Sequence, residues 1–322
     1  MSHIPKSKIM QKTIQISLAK PRGFCAGVER AVLVVKKSLE KYGKPIYVRH
    51  EVVHNKFVIN ELIKEGAIFV DNMHKIPQGS HIIFSAHGVS KAIREEANKL
   101  NLIPIDATCP LVTKVHKQVN RLDAKQFNII MIGHKGHPEV EGTMGQIEKG
   151  ASHTKIFLVE NIKDVNSLKI DDSEKISYVT QTTLSMDDTQ VIINTLKNKY
   201  PNIIGPKSDD ICYATQNRQD AIKLMAKKND LIIVVGSKNS SNSNRLVEIA
   251  QKEGVESFLI DTIDDFEPSC LANKKNIGIS AGASAPEILV QALIKKIKES
   301  CKISIKELEG IEENIIFKLP II

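Results

Sequence analysis

Short runs of β-branched residues alternate with stretches of helical periodicity along most of the chain. TIQISLA predicts a strand, and apolar positions from 28 to 39 then recur at helical spacing until Gly43. Further strands are predicted by PIYVRH, HIIFSAHG, FNIIMIGHKGH and LIIVVGSKNSS. Nearly continuous apolar strands of this kind suit parallel sheets that are buried on both faces, so the predicted fold class is α/β.

A cysteine recurs three times in one local setting. Cys25, Cys109 and Cys212 each follow a short apolar or turn-like stretch and open a helical pattern. Two polar loops follow each cysteine, and the first lies 28 or 29 positions after it. The first loops contain His54, His137 and Ser240, and the second loops contain His87, Thr180 and Ser284.

This recurrence predicts three related α/β repeats with pseudo-threefold symmetry. We place them at residues 14–108, 109–210 and 211–310, and we expect residues 311–322 to form a tail that packs back onto the body. Loops at the carboxyl ends of parallel strands face one crevice in an open sheet. The three cysteines and six polar loops are therefore expected around one centre.

Composition narrows the class of protein. The chain has 322 residues, of which 42% are hydrophobic and 25% charged, as in ordinary globular proteins. No run approaches the roughly 20 apolar residues that span a bilayer. The first dozen residues, MSHIPKSKIMQK, lack the apolar segment that a signal peptide contains. We therefore expect a cytoplasmic protein without a membrane partner.

The net charge of +8 does not by itself indicate a nucleic-acid partner. The lysines are scattered through helical segments such as IKLMAKKNDL, and they seldom alternate with aromatic residues. We interpret them as a solvated basic surface. A basic field also attracts an anionic small molecule or an acidic electron-transfer partner.

The use of cysteine favours a metal site. An odd total of five cysteines argues against a disulfide framework, and Cys270 and Cys301 lack the repeated setting. Structural zinc usually uses C-x-x-C pairs, which the chain does not contain. Widely separated single cysteines better suit a large iron–sulfur cluster, which normally takes four thiolates. Three would leave one iron open for a substrate.

The polar loops carry donors suited to the oxygens of a phosphate or diphosphate. This set is His54, His87, His137, Ser240, Ser241, Asn242 and Ser284. Neither of the glycine-rich nucleotide motifs, GxxxxGK[ST] and GxGxxG, is present as a nucleotide loop.

Glu139 is the candidate proton donor. It follows His137 by two residues, and burial in a closed site would raise its pKa and keep it protonated near neutrality. Glu141 is the alternative on the same segment. Thr180 is expected to pass or orient a proton, because its hydroxyl is too weak an acid to supply one.

These segments resemble the 4-hydroxy-3-methylbut-2-enyl diphosphate reductase family, which completes the methylerythritol phosphate route to isoprenoids. The segments that carry the resemblance extend over nearly the whole chain: PRGFCAGVERA, PIYVRHEVVHN, IFSAHGVS, DATCPLVTKVH, IGHKGHPEVEGTMGQ, TQTTLS, DDICYATQNRQ, VVGSKNSSNSNRL and AGASAPEILVQ. Only the first dozen residues look like an extension.

The resemblance implies a trefoil of three α/β domains around a central [4Fe-4S] cluster held by Cys25, Cys109 and Cys212. It assigns the diphosphate to the polar loops and proton delivery to Glu139, with His137 and Thr180 nearby. An external ferredoxin or flavodoxin would supply two electrons for loss of the substrate hydroxyl as water. The absence of a flavin or nicotinamide fingerprint fits an external donor.

Two other classes stay open on the residues alone. One is a binding module in which zinc or a cluster is structural and the loops hold an anion without turnover. The other is a redox-sensing cluster protein. Neither accounts for the arrangement of Glu139 and Thr180 as candidate proton-transfer residues.

Overall fold

The computed structural model describes residues 13–148, 154–171 and 174–322; the prediction made for the first dozen residues lies outside these ranges. The strands are β1 (Thr13–Leu18), β2 (Ile46–Arg49), β3 (Ala67–Val70), β4 (His81–Phe84), β5 (Ile103–Asp106), β6 (Asn128–Ile132), β7 (Ile156–Val159), β8 (Ile176–Thr180), β9 (Leu231–Val235), β10 (Glu256–Ile260), β11 (Asn276–Ala281) and β12 (Lys302–Glu307). The α-helices are α1 (Ala26–Tyr42), α2 (Lys56–Glu65), α3 (Lys91–Lys99), α4 (Pro110–Ala124), α5 (Pro138–Met144), α6 (Ile162–Ser167), α7 (Met186–Lys199), α8 (Tyr213–Ala226), α9 (Ser241–Lys252) and α10 (Glu287–Ser300).

The described chain divides into two compact units. The first unit contains residues 13–24 and 217–313, and the second contains residues 25–216 and 314–322. None of the helices in the described ranges is long and apolar enough to cross a membrane.

The first unit is built on a five-stranded parallel sheet with the strand order β10-β9-β11-β1-β12. Successive residues of β9 face opposite sides of this sheet. Ile233 packs into one apolar core with Ile16 and Ile279, and Ile232 packs into the other with Leu246. A strand buried on both faces needs apolar residues at every position, which explains the unbroken run LIIVV.

The second unit contains two parallel sheets. One has four strands in the order β3-β2-β4-β5, and the other has three in the order β7-β6-β8. Strand β6 is again buried on both faces: Ile130 joins one core and Ile129 joins another. The predicted α/β class with parallel strands is therefore confirmed.

Strand β1 has a different neighbour from the one that its place in the first repeat suggests. It lies between β11 and β12 in the sheet of the first unit and does not pair with β2. Its side chains Ile14, Ile16 and Leu18 join the core of that sheet. The hydrophobic pattern identifies a buried strand but not its partner, because all buried strands carry the same pattern. The boundaries of the three proposed repeats stay a prediction.

Candidate active site

The three recurrent cysteines all lie in the second unit, each at the start of a helix. Cys25 is the N-cap of α1, Cys109 is the N-cap of α4, and Cys212 directly precedes α8. All three are free, partly buried thiols. The sequence prediction that they occupy helix N-termini is confirmed.

Two of these thiols meet beside the first turn of α1. A Cβ atom added at Gly27 would lie 2.6 Å from the Sγ atom of Cys109 and 3.9 Å from that of Cys25. Real Cβ atoms do not approach sulfur to 2.6 Å, so the absence of a side chain at Gly27 makes room for the Cys109 thiol. Cys212 belongs to the same group, because its charge raises the pKa of Cys109.

Burial dominates the titration of these thiols. Desolvation, followed by the charge of Cys25, raises the pKa of Cys109 to about 12. Desolvation and Cys25 likewise raise the pKa of Cys212 to about 11. Backbone N–H groups of the first turn of α4 act on Cys109 in the opposite direction, but they are the smaller effect. The helix N-terminus at Cys109 therefore acts toward the thiolate form, but burial outweighs it.

The thiols do not converge on a single point. Within the described ranges, no three or more His, Cys, Asp or Glu side chains are grouped closely enough to hold one metal ion. Cys270 and Cys301, the other two cysteines, lie in the first unit and pack against its apolar core.

Three histidines form a cluster above the carboxyl ends of the strands in the second unit. His54 follows β2, His87 follows the adjacent β4, and His137 follows β6. The ring centroids of His54 and His87 are 4.2 Å apart, and that of His137 lies 5.5 Å from the first and 5.8 Å from the second. The structure thus brings together all three histidines that the sequence selects.

Two of these imidazoles, those of His87 and His137, have lowered pKa values that favour the neutral form. Burial, together with the charges of the other two histidines, lowers the pKa of His87 well below its usual range. Burial and His54 lower the pKa of His137 to about 3. The Nδ1 atom of His137 accepts a hydrogen bond of 3.2 Å from the backbone N–H of Glu139. A neutral imidazole that accepts at Nδ1 carries its proton on Nε2, so His137 is a donor at Nε2.

Glu139 lies in the first turn of α5 and is only 2% exposed. Desolvation raises its pKa to about 7, against the opposing effect of hydrogen bonds from Thr182. The charge of Asp210 adds to the increase. The predicted direction of this shift is confirmed, so near neutrality the carboxyl exchanges between its protonated and ionised forms.

Thr182 is the threonine that contacts this carboxyl. Its backbone N–H donates to Oε1 of Glu139 at 2.6 Å, and its hydroxyl donates to Oε2 at 2.9 Å. The hydroxyl of Thr180 instead donates to the carbonyl of Gln181. Thr182, which the sequence analysis did not select, is therefore the direct partner of Glu139, and the expected role of Thr180 in passing or orienting a proton stays a prediction.

The position at which β8 ends explains why Thr182, and not Thr180, contacts the carboxyl of Glu139. Thr180 is the last residue of that strand, and its backbone N–H is held by the carboxylate of Asp210 at 3.2 Å. Thr182 lies two residues beyond the end of the strand, in the loop before α7, and contacts Glu139 of α5 from there. The segment TQTTLS contains three threonines, and only the turn decides which hydroxyl reaches Glu139.

A second polar cluster belongs to the first unit. Ser240 is the N-cap of α9 after β9, and Ser284 follows the adjacent β11. The hydroxyl of Ser284 donates to Ser240 Oγ at 3.5 Å, and Oδ1 of Asn242 accepts from the backbone N–H of Ala283 at 2.9 Å. Ser241 is the first residue of α9 and is partly buried. The sequence analysis selected four of these residues, and the fifth, Ala283, contributes only its backbone N–H.

Close backbone packing holds this cluster together. A Cβ atom at Gly282 would lie 1.9 Å from the hydroxyl of Ser243, so only glycine allows the loop after β11 to approach α9. Asn242 is 3% exposed, and its Nδ2 atom has no hydrogen-bond partner among the described residues. A buried donor without a partner is costly, which indicates a place for an acceptor.

The fold and these two clusters define an α/β protein whose polar side chains gather at the carboxyl ends of parallel strands. Residues 16–298 match the family model described as LytB protein. The chain belongs to this family.

Relatives of named function extend the comparison. The chain is 56% identical over 307 residues to the 4-hydroxy-3-methylbut-2-enyl diphosphate reductase of Mannheimia succiniciproducens, which covers 95% of this chain and 97% of that protein. It is 55% identical over 306 residues to the protein of the same name from Azoarcus sp., covering 95% and 96%. The solved structure of the E-1-hydroxy-2-methyl-but-2-enyl-4-diphosphate reductase from Plasmodium falciparum is similar with a TM-score of 0.90 and 42% identity, over 96% of each chain.

Proposed function

We propose that the protein reduces 4-hydroxy-3-methylbut-2-enyl diphosphate to isopentenyl diphosphate and dimethylallyl diphosphate. The C–O bond to the hydroxyl breaks, two electrons and two protons are consumed, and water leaves. The observation that carries this proposal is Glu139, a carboxyl in a nearly closed setting with a pKa of about 7, beside neutral histidines. The names of the relatives support the substrate.

Cys25, Cys109 and Cys212 are proposed to hold an iron–sulfur cluster through one thiolate each. In such a cluster each thiolate binds a different iron, so the thiols need not converge on one point as they must for a single ion. The room left at Gly27 and the electrostatic coupling of the thiols support this use. Their raised pKa values are no obstacle, because metal binding deprotonates a coordinating thiol outright. When bound, the cluster supplies one-electron redox chemistry and an iron with an open coordination position.

Glu139 is proposed to deliver the proton that lets the hydroxyl leave as water. Expelling hydroxide instead would require a much poorer leaving group, and general acids typically contribute about 10²–10⁴-fold in rate. The two hydrogen bonds from Thr182 fix the orientation of the carboxyl. A threonine hydroxyl both donates and accepts, so the contact persists when Glu139 is protonated.

Neutral donors are proposed to bind the diphosphate oxygens. In the first unit these are the hydroxyls of Ser240 and Ser284 and the buried Nδ2 of Asn242. In the second unit, Nε2 of His137 donates to substrate oxygen while the imidazole stays neutral. Neutral donors bind an anion without the strong retention that buried positive charges would give to the product diphosphates.

Anaerobic purification followed by a spectrum and a turnover assay tests the proposal. We expect broad absorption near 400 nm, iron and sulfide in proportion, and reduction of the diphosphate substrate by dithionite with a viologen mediator. A colourless protein that contains zinc would support a metal-stapled binding module instead. A coloured protein with fully reduced cluster but no conversion of the substrate would support a redox sensor.

A further inference from the structure

A positively charged depression lies next to Cys109 on the second unit. It has a volume of about 520 Å³, and its cationic lining residues are Arg30 of α1 and Lys114, Lys117 and Arg121 of α4. Thr108 and Pro110, the two chain neighbours of Cys109, also line it. We call this feature the basic depression.

The three cations of α4 form a stripe. Positions 114, 117 and 121 are separated by three and four residues, a spacing that places them on one face of a helix. Lys117 and Arg121 are exposed, and neither forms an ion pair with any residue in the described ranges. The stripe extends about 10 Å along the helix, given a rise of 1.5 Å per residue.

Little negative charge offsets this stripe. Asp106 lines the depression too, but its carboxylate forms an ion pair of 2.7 Å with Arg94. Burial acts to raise the pKa of Asp106, yet hydrogen bonds from Thr108 and the charge of Arg94 outweigh it and lower that pKa. Asp106 is therefore an ionised carboxylate whose charge is offset by Arg94.

Carboxylates offset little of the charge of the other two cations, Arg30 and Lys114. The guanidinium of Arg30 donates to the carbonyls of Thr108 and Lys318, which are neutral. Only Lys114 has a nearby carboxylate, that of Asp210 at 3.4 Å. The basic depression is therefore strongly positive.

We infer that the basic depression is the docking surface for an acidic protein that carries single electrons to the cluster; this inference rests on the proposed function. Thr108 and Pro110 line the depression, so a partner bound there lies next to Cys109, a proposed cluster ligand. Complementary charge steers such encounters and accelerates association.

The shape of the patch favours a protein over the alternatives. A free phosphate is bound where donors converge on one point, whereas Lys114, Lys117 and Arg121 are spread along one face of α4. Single-stranded nucleic acids need aromatic side chains for base stacking, and the lining contains none.

The electrons balance over two encounters. Each encounter oxidises one reduced carrier by one electron, and the oxidised carrier leaves. Two encounters supply the two electrons that are consumed with two protons when the substrate C–O bond breaks and water departs. Reversible, charge-steered docking suits a partner that must exchange once per electron.

The test compares two double variants with the same change in net charge. Lys117→Glu with Arg121→Glu reverses the stripe, and Lys295→Glu with Lys298→Glu reverses two exposed lysines of α10 in the first unit. The probe is an acidic plant-type [2Fe–2S] ferredoxin. Its affinity for the cluster-loaded protein is measured by calorimetry between 20 and 300 mM salt, and turnover is measured with reduced ferredoxin and separately with a viologen mediator.

We expect the stripe variant to bind ferredoxin at least tenfold more weakly and with a shallower salt dependence, and to lose ferredoxin-driven turnover by a similar factor. Its viologen-driven turnover should match the parent, and the α10 variant should match the parent in every measurement. A neutral variant, Lys117→Gln with Arg121→Gln, should bind ferredoxin with intermediate affinity. Thermal unfolding of the neutral and the reversed variants, compared with the parent, verifies that both are folded.

Equal ferredoxin affinity in the stripe variant and the α10 variant would overturn the docking surface. So would tight binding of inorganic phosphate in the depression with unchanged ferredoxin affinity. A parent protein that binds ferredoxin at the stripe but never converts the substrate with viologen would overturn the proposed function and leave the docking result intact, so the two failures are distinguishable.

Discussion

Thr182 holds the carboxyl of Glu139 from two directions, with its backbone N–H 2.6 Å from Oε1 and its hydroxyl 2.9 Å from Oε2. Both residues are at least 95% buried, so bulk water does not compete for these bonds. The bonds favour the ionised carboxylate, while burial favours the neutral acid. The pKa near 7 results from this opposition and suits a group that must gain and lose a proton in each cycle.

Removing the hydroxyl alone should shift this balance. In Thr182→Val the backbone bond remains, but the carboxylate loses one donor, so we expect the pKa of Glu139 to rise above 7 and turnover to fall about tenfold. The matched control is Thr195→Val on α7, whose hydroxyl donates to the backbone carbonyl of Val191. The pH profile of turnover measures both effects. An unchanged pH profile in Thr182→Val would contradict this role of the hydroxyl.

Glu139→Gln should keep the fold and the cluster but lose most turnover. Glutamine matches the size and hydrogen bonding of glutamic acid and cannot supply an acidic proton, so a loss of about 10²–10⁴-fold is expected. Glu141→Gln, an exposed position on the same helix, is the control and should retain activity. Turnover is compared at equal iron content with dithionite and viologen. Near-parental activity in the Glu139 variant would transfer the proton-delivery role to another group.

The raised pKa of Glu139 also predicts how stability depends on pH. Because the folded pKa is about 7 and the ordinary value is 4.5, the folded state binds the proton more tightly than the unfolded state. The resulting stabilisation is complete below about pH 4.5 and is lost as pH rises through about 7, an effect on the order of 3 kcal/mol. Urea unfolding between pH 5 and 8 should show this decline in the parent and its absence in Glu139→Gln. Parallel curves for the two proteins would contradict the assignment.

Serine substitution separates the cysteines into two groups. Each of the Cys25→Ser, Cys109→Ser and Cys212→Ser variants should lose most of its iron and sulfide, since no neighbouring side chain replaces a thiolate. Cys270→Ser and Cys301→Ser should load fully, because these thiols only pack against the core of the first unit. Iron and sulfide analysis after anaerobic reconstitution gives the result. A fully loaded Cys109 variant would remove the three-cysteine site.

Asn242→Ala should weaken binding of the diphosphate substrate while the cluster content stays unchanged. The substitution removes a buried amide donor that has no partner among the described residues, so the loss of one hydrogen bond to a charged group should cost about 1.5–3 kcal/mol. Asn244→Ala is the control, because its amide already donates to the carbonyl of Lys238. Calorimetric titration with the substrate measures both. Equal affinities would exclude Asn242 from the diphosphate site.

Local features of the site follow from the sequence because they depend on neighbours along the chain. A cysteine that opens a helix becomes an N-cap wherever that helix packs, as at Cys25 and Cys109. A polar loop after a buried parallel strand lies at the carboxyl end of its sheet, which brings His54 and His87 together after β2 and β4. The raised pKa of Glu139 could be predicted only by assuming a closed site, because burial is its largest cause.

Features that depend on distant segments were decided by the tertiary structure. Strand β1 joins β11 and β12, because many buried strands share one hydrophobic pattern and only packing chooses among them. Burial overrides the helix N-terminus at Cys109, since the loss of water around a thiolate outweighs two backbone dipoles.

The sequence by itself determined the α/β class, the parallel strands and the three cysteines, because period and local spacing encode them. It also drew attention to the segment that holds the threonine partner of Glu139, but it did not identify Thr182 as that partner. The tertiary structure decided for Thr182, since Asp210 holds the end of β8 and the turn that follows fixes which hydroxyl points at the carboxyl. A hydrogen bond between residues 43 positions apart depends on the direction of two chain segments in space, which residue spacing alone does not encode.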